Sequence, residues 1–195
     1  MPRGRPRTFD IDRVLDRALR VFWRKGYEGT SLLNLTKAMG INRPSLYAAF
    51  GNKEALFRKA VDRYVEGPAS YVRKAIEEPT ARAVVQRLLR GSIDLVTNPR
   101  NPHGCFLVQS VLACGEEADC LRREMAKRRT LLEACLRERF ERATAEGDLP
   151  ADSDPSDLAR YVAVVMYGMA VQAAGGRTRD ELRKVVEITM RAWPT

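Results

Sequence analysis

From Thr30 to Phe57 the chain reads TSLLNLTKAMGINRPSLYAAFGNKEALF, and this stretch constrains the fold more than any other. Its apolar residues recur at helical spacing, and glycine cuts the pattern twice. TSLLNLTKAMGI is a short helix with Thr30 or Ser31 as its cap, and Gly40 ends it. NRPSLYAAF is another, with Asn42 as its cap and Pro44 tolerated only in its first turn. Gly51-Asn52 breaks the chain again, and Lys53-Glu54 opens a longer helix. Helix, tight glycine turn, helix is the layout of a helix-turn-helix. In that motif one helix crosses a phosphate backbone and the next enters the major groove.

The side chains suit that placement. Leu46 and Phe50, four residues apart, anchor the second short helix to the one before it. Its other face carries Arg43, Ser45, Tyr47, Ala48 and Ala49. Arginine can grip guanine O6 and N7 with two hydrogen bonds, and small alanines let a helix sit deep and touch a thymine methyl. Ser45 and Tyr47 carry hydroxyls suited to phosphate oxygens. Lys53 adds its charge to the free N–H groups of a helix start, which attract anions. The candidate DNA-binding set is Thr30, Ser31, Asn42, Arg43, Pro44, Ser45, Tyr47, Ala48, Ala49 and Lys53, with Arg3, Arg5 and Arg7 from the basic arm RGRPR. That arm resembles an AT-hook, which lies in the narrow minor groove of A·T-rich DNA.

Charge points the same way. The chain of 195 residues carries a net +9, and residues 1–63 hold 14 Lys+Arg against 6 Asp+Glu. The remaining two thirds are nearly neutral. A basic module joined to a neutral one reads as a polyanion-binding head and a body with another task. With 45% hydrophobic and 30% charged residues, the chain can build a sizeable core without disulfides. The four cysteines, Cys105, Cys114, Cys120 and Cys135, show no C-x-x-C pair, and His103 is the only histidine, so a metal site is not expected. The N-terminus lacks the apolar core of a signal peptide, which makes the cytoplasm and reduced thiols the expectation.

The whole chain reads as helix. Ile11, Val14, Leu15, Ala18, Leu19 and Phe22 form one stripe, with Asp10 as N-cap and Gly26 as C-cap. The helix opened by Lys53 is expected to run into the 70s despite Pro68. Further helices are expected over 80–96, 105–114, 116–145 (buried seam Leu121, Met125, Leu132, Leu136, Phe140), about 156–174 with Ser156 or Asp157 as cap, and 179–192. YVAVVMYGMAVQAAGG, Tyr161 to Gly176, has no charge but is shorter than the ~20 apolar residues that span a bilayer. A helix apolar nearly all round is buried on several sides. Here that implies its own body on one side and a partner subunit on the other, with Val165 and Met169 at the contact and Gly168 allowing close approach.

The residues GYEGTSLLNLTKAMGINRPSLYAAFGNKEALF resemble the DNA-binding region of the TetR (tetracycline-repressor) family of bacterial regulators. Thr30, the Gly40-Ile41 turn, Ser45-Leu46-Tyr47, Phe50 and Lys53-Glu54-Ala55-Leu56 carry the resemblance. Many members have alanine where this chain has Thr36, and an acidic residue where it has Asn34. The resemblance implies an all-α homodimer of about nine helices. A basic arm (1–8) would precede a three-helix DNA-binding domain (9–52) and a helical ligand-sensing and dimerising domain (53–195). It also implies that Thr30, Tyr47 and Lys53 contact phosphates while 43–45 and 48–49 face base edges.

The expected function is a ligand-responsive repressor that binds a palindromic operator of double-stranded DNA as a dimer through helices 156–192. Candidate lining of an apolar effector cavity is Cys105, Val108, Leu112, Met125, Tyr161, Met166, Tyr167 and Met169. Methionine adapts to varied shapes. Two alternatives stay open: a thiol-based sensor acting through Cys105, and an activator instead of a repressor. Residues i and i+2 do not face each other on a helix, so His103 is poorly placed to activate Cys105. No nucleophile–base set, paired acids or phosphate-binding glycine loop marks an enzyme, and no cofactor is expected. A purely architectural DNA binder would have no need of so large a neutral body.

Overall fold

The computed structural model describes residues 9–110 and 118–194, and all regular structure among them is helical. The helices are α1 (Ile11–Lys25), α2 (Leu32–Met39), α3 (Arg43–Phe50), α4 (Lys53–Glu66), α5 (Tyr71–Ile76), α6 (Ala81–Val96), α7 (Phe106–Gln109), α8 (Asp119–Ala145), α9 (Pro155–Ala174) and α10 (Arg179–Ala192). Polar caps set most of the starts. Asp10 accepts from the amides of Asp12 and Arg13, Asn42 from Ser45, and Asn52 from Ala55. Ser31 and Asn34 form a reciprocal capping box on α2, as Thr178 and Glu181 do on α10. Each cap satisfies an otherwise orphaned amide.

The helix expected over 105–114 ends at Gln109, with 111–114 outside the described residues, and α8 starts at Asp119 where 116 is expected. Two further boundaries depart from the sequence expectation. The helix opened by Lys53 stops at Glu66 instead of continuing, because Pro68 has no amide to donate and its ring crowds the preceding turn. Ala69 N–H closes on Tyr64 O instead (2.9 Å), and α5 starts separately at Tyr71. This split makes ten described helices where about nine are expected. The cap of α9 is Asp154, not Ser156 or Asp157. Its carboxylate accepts from both of those amides, and Pro155 occupies the first helical position.

Two apolar clusters organise the packing. In the head, Val14, Leu19, Phe22 and Trp23 of α1 meet Leu35 and Met39 of α2, Leu46 and Phe50 of α3, and Leu56, Phe57, Val61 and Tyr64 of α4. Phe106, Leu121 and Met125 enter that same cluster from α7 and α8. The body cluster joins α6 (Val84, Val85, Leu88, Leu89), α8 (Leu136, Phe140), α9 (Val162, Met166, Met169) and α10 (Leu182, Val186, Met190). Leu132, expected within the buried seam of α8, is only half-buried. No described helix is long and apolar enough to cross a membrane.

Candidate functional site

The turn between α2 and α3 is made by Gly40, whose left-handed backbone (φ 71°) other side chains rarely adopt. Its N–H returns to Thr36 O (2.9 Å), and Arg17 of α1 donates to Met39 O (3.3 Å), fixing the end of α2 on α1. Leu46 and Phe50 lie in the head core, so the opposite face of α3 is turned outward. Asn42, Arg43, Pro44, Tyr47 and Ala48 are exposed, while Ser45 and Ala49 are half-buried. Ser31 is exposed at the start of α2. Lys53 lies at the N-terminus of α4 with its ammonium 4.3 Å from the centre of the Tyr27 ring, a cation–π arrangement. Ser31, Asn42, Arg43, Pro44, Tyr47 and Ala48 thus lie exposed on helix starts and one face of α3, with Ser45, Ala49 and Lys53 half-buried beside them.

Thr30 departs from the expectation that it offers its hydroxyl to a phosphate. Its side chain is enclosed, and the hydroxyl donates to Gly26 O (2.6 Å). The local reason is the end of α1, where Gly26 turns the chain and leaves a carbonyl that the hydroxyl satisfies. Ser31, one residue later, caps α2 in the open. Of the departures from the family pattern, Thr36 is buried with its hydroxyl on Leu32 O (3.0 Å), and Asn34 accepts from Lys25 Nζ (3.2 Å). Arg3, Arg5 and Arg7 lie outside the described residues.

The body holds an apolar cavity of about 270 Å³ between α4, α5, α8 and α9, walled by Tyr64, Tyr71, Val72, Cys105, Leu107, Leu132, Met166 and Tyr167 among others. Cys105, Met166 and Tyr167 are the expected lining residues that it brings together. The other described candidates lie elsewhere. Met125 is enclosed in the head cluster, Val108 and Met169 belong to the body core, and Tyr161 faces outward. Leu112 lies outside the described residues. Sequence reading missed Tyr64 and Tyr71, which sit on either side of the Gly67-Pro68 break. Read as one continuous helix, that segment hides the angle by which both rings turn toward Cys105. A roomier cleft of about 640 Å³ lies at the seam of head and body, but charged and polar groups such as Arg24, Lys25, Glu28 and His103 line it.

Cavity chemistry is that of neutral groups. Tyr64 Oη lies 3.2 Å from Cys105 Sγ, and Tyr167 donates to Arg129 O (3.2 Å). Burial pushes the Cys105 thiol above its ordinary range, and the Tyr64, Tyr71 and Tyr167 hydroxyls are raised for the same reason. Water is too scarce there to solvate a thiolate or phenolate. His103 is exposed and outside the lining, so the partner of Cys105 is Tyr64. Arg128, at the rim, is matched by Asp62 (2.7 Å) and Glu124 (3.7 Å). No described group of three or more His, Cys, Asp or Glu residues is placed to hold a metal ion.

A helix-turn-helix head on an all-helical body with an apolar pocket defines a DNA-binding regulator. Comparison with known proteins agrees. Residues 14–60 match the family model described as bacterial regulatory proteins, tetR family, and residues 79–189 match the tetracyclin repressor-like C-terminal domain. The chain belongs to the TetR family of transcriptional regulators; it is not an enzyme. It is 31% identical over 194 residues to the HTH-type transcriptional repressor ComR of Escherichia coli K12, covering 98% of this chain and 92% of that one. The HTH-type transcriptional regulator YezE of Bacillus subtilis is 31% identical over 189 residues, covering 96% and 97%. Among solved structures, a cysteine mutant of the TetR family transcriptional regulator CifR, complexed with 26-base-pair operator DNA, superposes with a TM-score of 0.94. It is 44% identical, covering 97% of this chain and all of that one.

Proposed function

We propose that the protein is a repressor that binds a palindromic operator as a homodimer and leaves it when a small, neutral, mainly apolar molecule fills the cavity beside Cys105. The likeness over the full chain to a regulator solved on operator DNA carries the DNA half of this reading. Arg43, Pro44, Ser45, Ala48 and Ala49 face base edges, Ser31, Asn42, Tyr47 and Lys53 serve the backbone, and Arg3, Arg5 and Arg7 add charge from the arm. Such a protein works in the cytoplasm, on chromosomal DNA.

The cavity carries the effector half. Its wall is apolar, its polar atoms are neutral hydroxyls and the thiols of Cys105 and Cys135, and the charge at its rim is already paired. Dimerisation uses the outer face of α9, where Tyr161, Val164 and Val171 are exposed and nothing lies within 4 Å of where a Gly168 side chain would start. Val185 and Ile188 of α10 extend that face. A second copy covering both helices forms a four-helix bundle. Met169 is enclosed in its own body core and is not part of that contact.

A second reading has one observation of its own: Cys105 Sγ itself faces the cavity, so covalent capture there would also fill it. The two triggers separate in Cys105→Ser. Release by a reversible effector survives the substitution, and the folded protein gains about 2.7 kcal/mol at a hundredfold excess over Kd. Loss of release by a candidate electrophile in Cys105→Ser, with fold and DNA affinity intact, sinks the reversible reading.

A further inference from the structure

Residues 104–110 are held from both sides of the molecule. On the head side, Trp23 Nε1 donates to Gly104 O (3.2 Å), and Tyr27 N–H donates to Ser110 O (2.8 Å). On the body side, Gly104 N–H donates to Val96 O (3.1 Å), and Arg129 donates to Leu107 O (2.8 Å). Between these ties, consecutive side chains part. Cys105 points its sulfur at Tyr64 Oη in the cavity, while Phe106 is fully enclosed in the head cluster. The Phe106 ring sits 5.5 Å from both Phe57 and Tyr64 and 6.4 Å from Trp23.

We infer that the segment 104–110 transmits occupancy of the cavity to the DNA-binding head, and that Trp23 is the positioning residue through which it acts on α1. This rests on the effector reading above. The physical reason is rigidity. A group bonded to Cys105 Sγ displaces its contact with Tyr64 Oη (3.2 Å), and the close-packed ring of Phe106 next in the chain does not absorb such a shift locally. Gly104 is tied on both sides, its N–H to Val96 O (3.1 Å) and its carbonyl to Trp23 Nε1 (3.2 Å). The shift therefore reaches Phe106 and the carbonyls of Gly104 and Ser110. Their donors stand on α1 and on the turn after it, just ahead of Thr30 and Ser31, where α2 begins. The cavity and the operator-binding face are thus joined by a short run of bonded groups with named donors. Coupling of this kind is demonstrated by breaking one tie and measuring what remains.

The test uses methyl methanethiosulfonate as a defined filler of the cavity. The Cys105 thiolate attacks the sulfenyl sulfur, the new S–S bond leaves an S-methylthio group on Cys105, methanesulfinate departs with the electron pair, and the thiol proton goes to buffer. Operator affinity is measured on a duplex that the protein selects from random sequence, before and after modification. The same treatment of Cys105→Ser measures any contribution of Cys114, Cys120 and Cys135, the last of which is exposed and also lines the cavity. Modification is expected to weaken operator binding at least tenfold in the natural protein. In Trp23→Phe, which keeps a ring but loses the donor, the loss falls below threefold while the unmodified affinity is unchanged. Equal losses in both proteins, or no Cys105-dependent loss in the natural one, overturn the relay. Absence of any selected duplex for unmodified protein fails the repressor reading instead. Should Trp23→Phe not fold, hydrogen exchange decides: the Tyr27 amide is expected to exchange faster after modification, and unchanged exchange overturns the relay.

Discussion

At the scale of single residues, the proposed DNA contacts fall into groups that specify and groups that attract. Arg43 is exposed on α3 and Lys53 lies at the start of α4. Arg43→Ala is expected to cost about 1–3 kcal/mol and relax base preference at one position of each half-site. Lys53→Ala is expected to weaken binding to all sequences alike and flatten the salt dependence by about one unit per half-site. Competition titrations over a set of single-base variants at several salt concentrations distinguish them. Thr30 is a stability residue. Thr30→Val removes the bond to Gly26 O and is expected to cost about 1 kcal/mol in denaturant unfolding, with operator affinity per folded molecule unchanged. A loss of affinity without loss of stability would return Thr30 to the phosphate. At Cys105 the raised pKa keeps the thiol protonated at neutral pH. Its alkylation is therefore slower than that of exposed Cys120, and the rate rises about tenfold per pH unit until the thiol pKa is reached. A rate independent of pH between 7 and 9, followed by peptide mass spectrometry, would contradict that environment.

At the scale of elements, α9 turns one apolar face to its own core and another to solvent. Ala159, Val162, Ala163, Met166, Met169 and Ala173 face the body core, while Tyr161, Val164 and Val171 stand exposed. Val164→Arg is therefore the substitution that probes the subunit contact. Setting an unpaired charge in that face is expected to cost several kcal/mol of association and to give monomers in light scattering. An unaltered dimer would place the contact elsewhere. The two faces of this helix were legible in its charge-free sequence, but which methionine or valine belonged to which face was not. With apolar residues on every side, periodicity has no polar stripe to set the phase. In α1 and α3 a polar face did set it, so Val14, Leu19, Leu46 and Phe50 read correctly as core. The cavity was only partly legible. Cys105, Met166 and Tyr167 come from α9 and the loop before α7, whereas Tyr64 and Tyr71 meet them only because the chain bends at Gly67-Pro68. That angle depends on the packing of α5 against α6, where Tyr71 lies over Gly91, which no local pattern records.

For the whole molecule, the basic excess of the first third and the neutrality of the rest correspond to two packed clusters with different work. The clusters meet along α4, α7 and the start of α8. Ion pairs strengthen the seam: Arg58 with Glu124 (2.8 Å), and Arg128 with Asp62 (2.7 Å). A regulator needs such a joint to be firm in each state, because an effector shifts the balance only by its differential affinity for the two states. In the dimer proposed above, the contact through α9 and α10 sets the spacing of the two heads. Recognition helices on a two-fold dimer read half-sites about 10 base pairs apart, or a multiple of that. The most direct measurement is to let the purified protein select from random double-stranded DNA and to weigh the resulting complex. An inverted repeat with that spacing, occupied by an even number of chains, is the expected result. Enrichment of a single unrepeated site bound by one chain, or no enrichment at all, would contradict it.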